Sequence, residues 1–238
     1  MIGSSVWSKD RFQRLILQEN FSLVPKTGLN IGKCLSFERV GRYLPDAGGD
    51  FQRAFRLYIY NIKLCEAFYA PMNMTEIVFR NAISTGLTNK YGADGHIKSG
   101  ALYRNLNKVG KRSIDKATLD SMKGHGVVTL DHIITSLPLG FWVEMLKTWG
   151  PNMLRQQDIN LAFPSLPNTL TKKDMHKKAK SFQKFRNKIF HHNAIFDRKP
   201  IKEYHNMRDI VGWTCKDSLW LMGQISNPVE IVNRKPTF

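Results

Sequence analysis

The chain has 238 residues, of which 42% are hydrophobic, a composition typical of a globular protein and too apolar for a disordered one. Its 36 Lys and Arg against 19 Asp and Glu give a formal net charge of +17, which suggests a polyanionic partner such as nucleic acid. The apolar stretches are too short to span a bilayer and the N-terminus lacks the pattern of a signal peptide, so we expect a cytoplasmic protein that does not enter membranes.

The three cysteines, Cys34, Cys65 and Cys215, are far apart in the sequence and follow no metal-binding spacing. An odd number of isolated cysteines in a chain without a secretion signal predicts free thiols in a reducing compartment. We therefore expect no disulfide, no structural metal and no cofactor.

In the first half of the chain the residue pattern predicts helices joined by short turns. A helix is expected over 9–19, and a link containing Pro and Gly leads to a short helix over 36–43 and a turn over 45–50. The segment 51–70 is apolar on nearly all sides, which predicts a buried central helix. We expect Pro71 to end it and a second helix to run to about Lys90.

The second half begins with residues 92–128, whose six glycines predict a less regular insertion with one helix near 113–122. Two short helices, over 129–137 and 139–149, are expected to meet at Pro138. A proline-containing loop over 161–168 then leads to a long helix over 171–192 and a last helix over 201–223. No alternating strand pattern occurs, so the predicted fold is all-α.

The predicted organisation is an N-terminal helix and linker over 1–30, one helical domain over 31–223 and a C-terminal tail over 224–238. A chain of this length is sufficient for one large domain with its own core.

The end of the long helix carries the most specific pattern. Arg186 is followed directly by the polar Asn187, and His191 stands five positions after the arginine. This is the R-polar-x3-H pattern of HEPN nucleases, although a bare Arg-x4-His spacing is common by chance. Three further blocks accompany it at matching spacing: Leu35–Arg39 with the turn at 47–50, Met74–Ala82, and Leu137–Trp142.

With these blocks the chain resembles the Abi-like (abortive infection) family of HEPN proteins over roughly residues 31–220. The resemblance implies a HEPN-type helical bundle, a homodimer, and RNA cleavage without metal in phage defence or growth arrest. It also implies roles for the motif: His191 as base or acid, Arg186 on the scissile phosphate and Asn187 as an orienting hydrogen-bond partner. One motif supplies one such histidine, so a two-fold dimer would supply both.

One departure from the family pattern follows the motif. Asn193-Ala194 stands where an acidic residue and a proline are expected. The departure favours an alternative, a non-catalytic HEPN RNA-binding module or a toxin–antitoxin component held inactive by a partner or a small RNA. A DNA-binding regulator is a weaker alternative, because no helix-turn-helix signature is visible.

Helical geometry, at about 100° per residue, sorts the residues of the motif helix into two faces. Asn187 and His191 share a basic face with four lysines that are candidates for RNA contacts or for a solvated surface: Lys177, Lys180, Lys184 and Lys188. Arg186 falls within the opposite, apolar face, where an unpaired charge is costly. Glu76 is the first candidate for its partner, although Glu76 could pair instead with Arg80 on its own helix.

Several of these residues also have purely structural interpretations. Arg186 could close the core through an ion pair, and His191 could be a solvated helix-end residue. His192, at the edge of the apolar face, is expected to pack, and sharing the proton transfer is its alternative role. Glu76, Arg80 and Asn81 are either a surface network or supporting residues of the site.

Overall fold

The computed structural model describes residue 30 and residues 33–92, 100–125, 128–147 and 154–238. Over these ranges it contains eleven α-helices, one 3-10 helix and no strand, so the all-α prediction is confirmed. The helix predicted over 9–19 lies outside the described residues. Within the same ranges, none of the helices combines the length and the apolar character needed to cross a membrane.

The chain divides into two compact units. The first contains the described residues up to Phe68, together with His192–Ile201 and Asn227–Phe238, and the second contains Tyr69–His191 and Lys202–Ser226. The long helix α2, Phe51–Tyr91, contributes its first part to one unit and its remainder to the other.

In the first unit, α1 (Phe37–Gly41) and a 3-10 helix (Pro45–Ala47) precede α2, and α11 (Pro228–Val232) lies near the C-terminus. The predicted turn before α2 is confirmed: Gly48 and Gly49 have φ of 62° and 79°, a left-handed conformation that glycine adopts without steric cost. Tyr43 stacks on Phe196 with ring centroids 5.6 Å apart, so the segment that follows the motif helix packs against the core of the first unit.

The prediction that Pro71 ends a helix is wrong, because α2 runs through it as one helix of 41 residues. A proline inside a helix removes one backbone hydrogen bond. Here Pro71 is buried, and its carbonyl accepts a hydrogen bond from Thr75 Oγ1 at 2.7 Å. The buried side chains that follow at helical spacing, Phe79, Ile83 and Leu87, supply the packing that holds the helical backbone.

Burial of α2 is also less complete than predicted. Leu57, Leu64 and Phe68 are buried, but Ile62 and Tyr69 are 46% and 62% exposed. The two lie seven positions apart and therefore on one side of the helix, the side on which Glu66 is also exposed.

The second unit adds eight helices to the end of α2 in the described part of the chain. They are α3 (Ala101–Asn105), α4 (Lys108–His125), α5 (Leu130–Ser136), α6 (Leu139–Glu144), α7 (Gln156–Ala162), α8 (Lys172–Phe190), α9 (Pro200–Thr214) and α10 (Lys216–Ile225). The first two residues of α9 belong to the first unit. Helix α4 packs on α5 and α8 packs on α6. The helix predicted near 113–122 is confirmed and is longer, but α3 is a second helix in this segment, so residues 100–125 are more regular than predicted. The two short helices flanking Pro138 are confirmed over shorter ranges.

Two predictions in this unit are wrong. The single helix expected over 201–223 is two helices, because Cys215 has an extended backbone and its Sγ accepts the Ser218 N–H at the start of α10. The loop expected from Leu161 begins inside α7, a helix that the sequence pattern did not indicate.

Candidate active site

Helix α8 positions the motif, and its ends are set by local chemistry. Thr171 caps the first turn by accepting the Asp174 N–H, while the Asp174 carboxylate accepts the Thr171 N–H in return. The helix ends at Phe190, and His191 is its C-cap. The predicted apolar face is buried at Met175, Ala179, Phe182 and Phe185. The rotation of α8 is therefore fixed, which determines where each motif residue points.

Arg186 lies within this face and is held on three sides. Its Nε and Nη2 donate to the two carboxylate oxygens of Glu76, at 3.0 and 3.4 Å. Its Nη1 donates to Asn187 Oδ1 at 3.4 Å, and its Cζ lies 4.1 Å from the centroid of the Phe190 ring. The Arg186 and Glu76 side chains are each 28% exposed. Of the two partners considered for Glu76, the structure shows Arg186.

Arg80 and Asn81, one turn after Glu76 on α2, are paired with each other. Arg80 donates from Nε to Asn81 Oδ1 at 3.2 Å. Asn81 is exposed and Arg80 is half-buried. This pair forms a surface network beside the Glu76–Arg186 ion pair.

His191 lies one turn after Asn187, and its side chain is exposed. Its backbone N–H donates to the Asn187 carbonyl at 3.0 Å, which keeps its backbone tied to the last turn of α8. An exposed imidazole at this position is accessible to a bound polymer, as a proton-transfer role requires.

His192 belongs to the first unit, where the structure contradicts the expectation that it packs. Its side chain is exposed and its φ is 55°, a left-handed conformation that is uncommon for a residue with a Cβ. Its carbonyl accepts from Arg39 Nη1 at 3.3 Å. The left-handed turn rotates the side chain away from the direction that continued helical geometry would give it.

Asn193, which replaces the expected acidic residue, is a structural anchor of the first unit. Its Oδ1 accepts from Arg42 Nη1 at 3.2 Å, and its carbonyl accepts from Asn61 Nδ2 at 3.5 Å. Asn61 also accepts the backbone N–H of Ile195 at 2.8 Å. A carboxylate in place of Asn193 would form an ion pair with Arg42, where the amide oxygen is an uncharged acceptor.

The lysines predicted on the outer face of α8 do lie there, with two of them near acidic groups. Lys177 is 3.7 Å from Asp174, and Lys180 donates to Gln183 Oε1 at 2.9 Å and lies 3.9 Å from Glu144. Lys184 is exposed and Lys188 is half-buried. Exposed ion pairs of this kind are weak, about 0–1 kcal/mol, so they do not prevent the lysines from binding phosphates.

His176 is a feature of α8 to which sequence reasoning gave no role. Its ring is half-buried, and its Nε2 is buried without a hydrogen-bond partner among the described residues. Burial lowers its pKa, Glu144 acts against that shift, and Lys147, Lys180 and Lys172 add to it. The 15 residues that separate it from His191 correspond to about 22 Å along a helix, too far to share one scissile phosphate.

A cleft of about 630 Å³ in the second unit was also missed. It lies between the N-terminal part of α4, the helix α6 and Gln183 of α8. A Cβ atom at Gly140 would lie 2.8 Å from Gln183 Nε2, so the glycine lets the amide rest against α6. In the sequence, Gly140 stood out only as part of the block Leu137–Trp142 that carries the family resemblance. Phe141 and Trp142 of that block are buried.

Across the described residues, no three His, Cys, Asp or Glu side chains are grouped so that they could hold a metal ion. Comparison of the chain with protein-family models, with curated proteins and with solved structures finds no match.

Proposed function

We propose that this chain is a metal-independent endoribonuclease of the HEPN type, similar to the Abi-like family, and that it acts in phage defence or growth arrest. The observation that supports the proposal is the arrangement at the end of α8. Arg186 is fixed between Glu76, Asn187 and Phe190, and His191 is exposed one turn beyond Asn187 on the lysine-bearing face.

Arg186 is the phosphate ligand in this proposal. A guanidinium has five N–H donors, and in the described part of the chain Glu76 and Asn187 accept three of them. The two that remain are assigned to non-bridging oxygens of the scissile phosphate, where negative charge builds up in the transition state. Because Glu76 and Phe190 already hold the side chain, little rotamer freedom is lost when the phosphate binds.

The reaction uses a nucleophile that RNA itself carries. A base removes the proton of the 2′-hydroxyl, whose oxygen attacks the adjacent phosphorus, and the bond from phosphorus to the 5′-oxygen breaks as an acid protonates that oxygen. The products are a 2′,3′-cyclic phosphate and a 5′-hydroxyl. His191 takes one proton-transfer role and the His191 of a second copy takes the other, since His176 is too distant.

A second candidate is a non-catalytic RNA-binding module, or a toxin held inactive by a partner or a small RNA. Two observations favour it. Glu76 neutralises the charge of Arg186, and Asn193 has an uncharged side chain where the family pattern has an acid. In this case Arg186 holds α8 on α2 and the lysines alone bind RNA.

Cleavage of total RNA in the presence of EDTA separates the candidates. The proposal expects cleavage to persist and the fragments to accept label from polynucleotide kinase without prior phosphatase treatment, because their 5′-ends are hydroxyls. His191→Ala should lower the rate by roughly 10²–10⁴-fold, the range that general acid–base catalysis supplies. His205→Ala is the matched control, because His205 is also an exposed helical histidine and lies outside the motif.

The other outcomes decide against the mechanism. Cleavage that stops in EDTA, or that is normal in His191→Ala, contradicts it, and RNA binding without any cleavage selects the second candidate.

The dimer is tested separately by light scattering across a dilution series. We expect the rate per protomer to fall as the dimer dissociates, and a fully active monomer would contradict the shared site.

A further inference from the structure

The cleft beside α6 has the composition of a ligand site. Its volume of about 630 Å³ lies within the usual range for pockets that bind small molecules, roughly 300–1,000 Å³. Apolar side chains form most of its wall, and polar groups stand at a few points. Its lining includes the apolar Leu106, Val109, Phe141 and Met145 and the polar Glu144 and Gln183.

Its position relates it to the proposed active site. Gln183 lines the cleft and is four residues before Asn187 on α8. Residues at this spacing are neighbours on a helix, with Cβ atoms about 6 Å apart. A phosphate bound at Arg186 therefore lies within about one nucleotide length of a residue that lines the cleft.

Two polar side chains in the cleft offer complementary hydrogen-bonding groups. Gln183 uses Oε1 to accept from Lys180 at 2.9 Å, and its Nε2 lies against Gly140. Glu144, which pairs with Lys147, offers carboxylate oxygens as acceptors. A donor and an acceptor between apolar walls suit the edge and the two faces of a nucleobase.

The charges around the cleft fit a nucleic acid strand more than an uncharged ligand. Lys147 lines the cleft and Lys180 lies at its edge, next to the outer lysine face of α8. These two lysines place cations beside the apolar surface of the cleft, an arrangement that suits a base and the phosphates next to it.

We infer that the cleft binds one unstacked base of the single-stranded RNA whose phosphate lies at Arg186, with Gln183 and Glu144 contacting the edge of that base. The inference rests on the proposed function and adds to it a site for base recognition. It implies that cleavage depends on the base next to the scissile phosphate, whereas phosphate contacts alone are indifferent to sequence.

Binding is measured by fluorescence anisotropy with 2′-O-methyl oligonucleotides, which lack the nucleophile and cannot be cleaved. The probes are four homopolymers of equal length and an abasic strand of the same length. We expect the best base to bind at least about 5-fold more tightly than the abasic strand, the lower end of what specific base contacts supply.

Two variants test the cleft itself. Val109→Trp narrows the entrance without disturbing the core, since Val109 is 70% exposed. The quantity to compare is the ratio of the affinity for the best homopolymer to the affinity for the abasic strand. Val109→Trp should bring this ratio close to one, and Gln183→Ala should reduce it severalfold. Leu119→Trp is the matched control, because Leu119 is 56% exposed on the same helix and does not line the cleft; it should leave the ratio unchanged.

Each outcome decides the inference. Equal binding of abasic and base-bearing strands, or a ratio that survives both Val109→Trp and Gln183→Ala, overturns it even if the protein cleaves RNA. Base-dependent binding that Val109→Trp removes supports the cleft even if wild-type protein leaves ordinary RNA intact, in which case only the nuclease proposal falls. Absence of binding to every strand overturns both.

Discussion

Arg186 of α8 forms a two-point ion pair with Glu76 of α2, in which Nε and Nη2 of the guanidinium lie 3.0 and 3.4 Å from the two carboxylate oxygens. The two residues are 110 positions apart, so the ion pair joins distant parts of the second unit at the motif. Because both side chains are 28% exposed, the pair is more desolvated than a surface ion pair and less so than a buried one.

A double-mutant cycle measures this coupling. Arg186→Ala and Glu76→Ala should each lower the free energy of unfolding by about 1–2 kcal/mol, a range reduced from that of fully buried pairs to allow for solvent screening. The double variant should lose less than the sum of the two, by about 1 kcal/mol. Urea denaturation at constant pH provides the values. Additive losses would show that the two side chains are not coupled.

An apolar replacement of the pair separates structure from chemistry. Arg186→Met combined with Glu76→Leu removes both charges without leaving either one unpaired, and such exchanges are often neutral for stability. We expect a melting temperature close to that of the wild type and loss of RNA cleavage, since methionine cannot bind a phosphate. Cleavage at the wild-type rate by this variant would assign Arg186 a structural role only.

The site was more predictable from the sequence than its surroundings because a single helix carries most of it. Helical spacing alone placed Arg186 on the apolar face of α8 and His191 on the basic one. That placement depends on local geometry, which a periodic sequence specifies well. The cost of burying a charge predicted that Arg186 has an acidic partner, and Glu76 was the first candidate, with its pairing to Arg80 left open.

Features that depend on tertiary packing or on one backbone angle were missed. Pro71 was expected to end a helix, but burial of the residues around it keeps α2 continuous. Cys215 breaks the last helix although nothing in its residue type demands it. The cleft beside α6 joins segments about 30 to 70 residues apart, so no local pattern could indicate it.

The lysine face of α8 should set the salt dependence of RNA binding. Each phosphate contact on single-stranded RNA adds about 0.7 to the slope of log affinity against log salt concentration. Replacing Lys177, Lys180 and Lys184 together by Gln should therefore flatten the slope by up to about 2. The control replaces three exposed lysines elsewhere in the second unit, Lys116, Lys123 and Lys202. Equal changes in both triple variants would mean that net charge, and not this face, determines binding.

Two of the cysteines should differ in reactivity. At the start of α10, hydrogen bonds from Ser218 lower the pKa of Cys215, whereas burial raises the pKa of Cys65 to about 11. The thiolate is the reactive form, so at pH 7.5 iodoacetamide should modify Cys215 well before Cys65. Peptide mass spectrometry over a time course gives both rates. Ser218→Pro removes the backbone donor and should slow the reaction of Cys215, and faster labelling of Cys65 than of Cys215 would contradict the assignment.

His176 should make the protein lose stability on mild acidification. Burial lowers its pKa in the folded state below the ordinary value of 6.5, with Lys147, Lys180 and Lys172 adding to the shift and Glu144 opposing it. Well above pH 6.5 the imidazole is neutral in both states and contributes nothing to the pH dependence. As the pH falls through 6.5 the unfolded chain binds the proton first, so the free energy of unfolding decreases until the folded-state pKa is passed.

His176→Gln should remove that part of the decrease in the free energy of unfolding. His205→Gln replaces an exposed histidine and should leave the decrease unchanged. Urea midpoints measured from about pH 8 to pH 5 provide the comparison. Parallel curves for wild type and His176→Gln would show that His176 does not titrate differently on folding.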